Sequence, residues 1–143
     1  MQSAIARWVG ILFVALSLQT ANADSTHVAV QGYDVVAYFT EGKAVKGSPS
    51  YELPFDDATW QFANVSHKEM FAADPDRYLP QYGGMCAGGM AFGVSVPANP
   101  ENWVIVDGKL YILSGSPADL ADWKAHAAEN IKAADKIWAK HAY

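Results

Sequence analysis

The chain is short of cysteine, of basic charge and of long apolar runs, and each shortage narrows what it can be. One cysteine, Cys86, stands among 143 residues. No disulfide can close within the chain, so stability must come from a packed core. Ten Lys and Arg face fifteen Asp and Glu, a formal charge of −5, and no run of like charge occurs. Nucleic acid is thereby excluded as a partner, because phosphate binding needs a basic surface. The one sustained apolar run, Trp8 to Leu18, is too short to cross a bilayer comfortably. Arg7 before it and the small-x-small sequence Ala21-Asn22-Ala23 after it give residues 1–23 the form of a secretory signal peptide. The expected mature chain is therefore residues 24–143, a single domain, periplasmic or secreted, with no membrane span after cleavage. In that oxidising compartment a lone thiol is buried, liganded, joined to another molecule or reactive.

Aromatic residues are plentiful: five Trp, seven Tyr and six Phe, which can fill a core without disulfides. Val35-Val36-Ala37-Tyr38-Phe39 is short, β-branched and aromatic, either a buried strand or a helical turn. Tyr51, Leu53 and Phe55 alternate with polar residues as in a half-buried strand, with Pro54 drawing it towards an edge. Trp60 and Phe62 continue on a second strand. Ser66 and Glu69 have the spacing of a capping box for a short helix ending before Pro75. Trp103 to Val106 and Lys109 to Leu113, joined by Asp107-Gly108, predict a hairpin with a two-residue turn. From Ser116-Pro117 onwards, Leu120, Trp123, Ala127, Ile131, Ala134 and Trp138 recur at three and four, the pattern of one long amphipathic helix. The fold class expected is α+β: a small antiparallel sheet with a short helix and a long C-terminal amphipathic helix. No internal repeat and no second domain is expected.

The segment from Tyr78 to Gly93 gathers Cys86, Met85, Met90 and five glycines. A thiol and two thioethers on a bent, glycine-rich loop suit a soft metal ion, copper above all. The competing account is packing, since Met fills gaps and a free Cys behaves as a small hydrophobe. A thiol enzyme ranks lower, because neither a second cysteine nor a known protease spacing is present. His27, His126 and His141 fall at a chain end or on a solvated helix face, and no c-type haem attachment pair occurs.

Phe62-Ala63-Asn64-Val65-Ser66-His67-Lys68-Glu69-Met70-Phe71, followed by Pro75 to Tyr78, resembles the YHS-domain family. Gly32-Tyr33-Asp34-Val35-Val36-Ala37-Tyr38-Phe39, Pro80 to Gly84 with Cys86-Ala87, and Asp107-Gly108-Lys109-Leu110-Tyr111 are similar to its exported single-domain branch. The resemblance covers most of the mature chain and implies a fold rather than an activity. Relatives in the wider family hold a metal through cysteines at positions matching Ala63 and His67; neither is cysteine here, so at most the His67 imidazole survives from that site. The expected metal donors are thus Cys86, His67, Met85 and Met90, with copper or another transition metal as cofactor. The expected role is a non-enzymatic binding module. The alternative is an interaction domain that docks on an envelope protein and keeps Cys86 buried and inert.

Overall fold

A computed structural model describes residues 27–141; the expected signal peptide lies outside them. The protein is α+β, with the hairpins forming two separate two-stranded antiparallel sheets rather than one. Val35–Thr40 is helix α1, the helical alternative for its β-branched run. Asp34 explains the choice: its side chain accepts hydrogen bonds from Val36 N and Ala37 N and so caps the first turn. Strands β1 (Ser48–Phe55) and β2 (Ala58–Phe62) form the first hairpin. Helix α2, Val65–Ala73, is capped by Asn64, which accepts from His67 N. Ser66 is inside the helix, so the expected capping box is replaced by a cap two residues earlier.

The second half runs through α3 (Pro75–Tyr78), the short α4 (Ala87–Met90), β3 (Asn99–Val106) and β4 (Lys109–Leu113). The Asp107-Gly108 turn forms as expected, both residues having positive φ, 51° and 74°. The long C-terminal helix is broken in two, α5 (Pro117–Ala125) and α6 (Ala127–His141). His126 leaves helical geometry with φ −120° and ψ 26°, and Asn130 Nδ2 donates to the Trp123 carbonyl beside the break. Among the described residues no helix is long and apolar enough to cross a membrane.

The two halves are copies of one motif, against the expectation of no repeat. A left-handed stretch at Val30, Gln31 and Gly32 (φ 48°, 52° and 83°) recurs 52 residues later at Tyr82, Gly83 and Gly84 (φ 59°, 64° and 79°). The main-chain bond from Asp34 N to Val45 O recurs from Cys86 N to Val96 O. Strands β3 and β4 each stand 51 residues after β1 and β2, and every paired position, including the irregularity, matches. Ring packing repeats too: Trp60 lies over Phe71 at 5.3 Å, and Tyr111 beside Trp123 at 5.4 Å. One core joins the halves, with Phe62, Phe71, Leu110 and Ile112 sealed inside it. Tyr38 Oη crosses between them to Pro100 O at 2.8 Å.

Candidate functional site

Asp34 and Cys86 hold the same place in the two copies, each capping a helix with its side chain. Asp34 is wholly buried. One oxygen takes the α1 cap bonds; the other accepts from Ala63 N at 2.9 Å and faces His67 Nδ1 at 2.5 Å. A carboxylate only accepts, so the shared proton belongs to Nδ1. His67 Nε2 lies 3.3 Å from Thr40 Oγ1. The imidazole is therefore engaged at both nitrogens within the first copy, tying the two ends of α1 to α2. Asp34, which organises this cluster, was not among the expected site residues; an Asp directly before an apolar run is the signal that could have found it.

In the second copy Cys86 Sγ accepts from Ser114 Oγ at 3.0 Å, Ser114 N at 3.2 Å and Gly89 N at 3.4 Å. Ser114 N stands where Ala63 N stands in the first copy, 51 residues on. Burial alone raises the thiol pKa. The Ser114 hydroxyl and the backbone N–H groups of Ser114, Gly89 and Gly88 outweigh it and leave the pKa below its ordinary value of 9.0. Stabilised thiolate is the form that attacks electrophiles and ligates metals.

The sulfur is not sealed in the core. Cys86 is only 4% exposed, yet it forms part of the wall of an open pocket of about 420 Å³, together with Gly88, Phe92, Ser114, Asp119 and Trp123. Phe92 stands at the rim, 84% exposed. Trp123 is buried, and its Nε1 has no hydrogen-bond partner among the described residues.

The four expected metal donors do not line one site. His67 is bound to Asp34 in the first copy. Met85 lines a separate cavity of about 210 Å³ beside His27 and Gln31. Met90 is buried in the core, and none of the three borders the Cys86 pocket. Among the described residues no group of three or more His, Cys, Asp or Glu side chains could hold a metal ion. The residues present fit attachment of a soft ion through one sulfur and do not fit a protein chelate. Sequence reasoning singled out Cys86 but missed Ser114, which sits in a turn 28 residues away and carries no chemical signature of its own.

Neither a protein-family model, nor a curated protein, nor a solved structure matches the chain.

Proposed function

We propose that the chain is an exported, YHS-like binding module that holds its ligand in the Cys86 pocket and does not turn it over. The observation that supports this most is the cradle of three donors around Sγ inside a cavity with a mouth to solvent. A cysteine kept only for packing gains nothing from either feature. Turnover would call for a base bonded to the sulfur and a group that orients that base; among the described residues the sulfur's hydrogen-bond partners are Ser114 and Gly89, neither of them a base. Copper or another transition metal enters this reading as an ion attached through Cys86 alone, its remaining ligands brought by the small molecule or envelope protein that delivers it.

Reaction of the native mature chain with methyl methanethiosulfonate, small and uncharged, tests the pocket. Complete modification at Cys86, followed by intact mass, is the expected result; a native protein that reacts only after unfolding removes the reading. For the metal, reduced protein is loaded with Cu(I) and challenged with a chelator. Cys86→Ser loses what the wild type retains, and Met85→Leu does not. Equal retention by wild type and Cys86→Ser rules out the copper part.

The exposed rim favours a second reading beside this one. Phe92, with Val94 half exposed two residues on, gives an apolar edge on which an envelope protein could dock.

A further inference from the structure

A cavity of about 270 Å³ lies where the first hairpin meets α6 and the left-handed turn that opens the second copy. It shares no lining residue with the Cys86 pocket. Three aromatic side chains, Trp60, Tyr82 and Trp138, contribute to its wall, and Asp56 is the one charged residue there.

The rings are held by bonds made outside the cavity. Trp60 Nε1 donates to Phe55 O at 3.1 Å, which keeps the indole beside Asp56, the next residue in the chain. Phe71 stacks on one of its faces. Tyr82 Oη donates to Asp135 Oδ1 at 2.8 Å. Asp135 and Trp138, three apart on α6, are neighbours on one helix face, so one helix fixes both the phenol oxygen and the ring, whose centroid lies 6.0 Å from that of Trp138 at 70°. Trp138 meets Gly83 with a ring edge, its Cη2 standing 3.6 Å from where a Cβ on that glycine would be. With 39% of its surface exposed, this indole leaves ring face open to solvent. The shared fold does not require these rings: Val30 occupies the matching left-handed position to Tyr82, and Trp138 lies beyond the repeated elements.

Asp56 is exposed in the β1–β2 turn, with φ 55°. Among the described residues the ion pair found joins His67 to Asp34, and no Lys, Arg or His lines this cavity. Its carboxylate therefore stands beside aromatic walls without a cation. Ring faces attract cations through their quadrupole, and a carboxylate adds to that attraction. A primary ammonium is strongly hydrated and needs partners for three N–H groups. A quaternary ammonium has none to satisfy, and its methyl groups pack on rings.

We propose that this cavity binds a trimethylammonium group borne by a small molecule, its methyl groups against Trp60, Tyr82 and Trp138 and its charge offset by Asp56. The site is independent of the Cys86 reading.

The test titrates the mature wild-type chain with choline and with dimethylbutanol, the neutral isostere in which carbon replaces the nitrogen. Indole N–H resonances report binding, that of Trp138 assigned through Trp138→Leu. Choline is expected to move the Trp138 signal and to bind at least about tenfold more tightly than the isostere. Trp138→Leu, at an exposed position that keeps its apolar bulk, weakens choline about tenfold and leaves the isostere nearly unchanged. Asp56→Asn keeps the turn, because Asn readily adopts positive φ, and it weakens choline while flattening the salt dependence of binding. Phosphatidylcholine vesicles that displace choline identify a lipid headgroup as the source; vesicles that do not identify a free solute, and the proposal holds with either. Equal binding of choline and its isostere overturns the proposal, as does choline affinity unchanged in both variants. Cys86→Ser is expected to bind choline as wild type does, so failure here leaves the thiolate pocket standing.

Discussion

A single side chain carries different duties at matching places in the two copies. Asp34, with no exposed surface, satisfies three backbone N–H groups and an imidazole. Asp34→Ala strands all of them in the core, and breaking such a buried pair costs about 3–5 kcal/mol. A urea midpoint that moves by less than a third of the corresponding amount contradicts the central role given to this carboxylate. Cys86 has a thiol pKa lowered from 9.0, the hydrogen bonds from Ser114, Gly89 and Gly88 outweighing burial. The folded state therefore favours the thiolate, so the stabilisation is fully present above pH 9.0 and is lost as pH falls through the lowered native value. The urea midpoint of wild type minus that of Cys86→Ser should rise with pH across that window and level off above it. Ser114→Ala removes the hydroxyl donor, moving the pH midpoint of Cys86 alkylation upwards; an unmoved midpoint would show the hydroxyl to be idle.

Elements built from local chemistry were the ones legible in the sequence. The Asp107-Gly108 hairpin needs positive φ at two adjacent residues, and a Asp-Gly pair announces that need. Gly108→Ala meets nothing within 4 Å, so its cost is conformational alone, about 1–2 kcal/mol, read as a lowered denaturation midpoint. No loss would mean that the turn relaxes to another type. The left-handed turn at Val30 and Gln31 gave no such warning, because a β-branched residue is among the last expected there; tertiary bonds such as Gln31 Nε2 to Ala98 O hold it. The break at His126 was equally hidden, since an apolar period of three and four runs across it. The repetition itself is the feature least visible in the sequence. Identities such as Gly32 with Gly84, Pro49 with Pro100 and Asp56 with Asp107 are few, while Asp34 opposite Cys86 and His67 opposite Asp119 share only geometry. The sulfur of the candidate site was legible as chemistry. Its surroundings were not, being assembled from β4, α4 and α5 by that hidden symmetry.

For the molecule as a whole, the core is aromatic and its phenols set an alkaline limit. Burial raises the pKa of Tyr38, Tyr82 and Tyr111, and Asp135 adds to the rise at Tyr82 through a 2.8 Å hydrogen bond. The fold thus favours neutral phenols. Their contribution is intact below the unfolded value of 10.0 and declines as pH climbs past it, while the unfolded chain ionises freely. Urea midpoints measured from pH 8 to pH 11 should fall steeply at the upper end, and a level profile would rule this out. The doubled architecture has a consequence for assembly. Two hairpins with one register compete for the same seats while the chain collapses, and wrong docking or exchange between chains is the characteristic failure of repetitive proteins. The two hairpins share a register but not their side chains, and a fully buried Val36 opposite a bare Gly88 is one difference by which a correctly docked half is packed more tightly than an exchanged one.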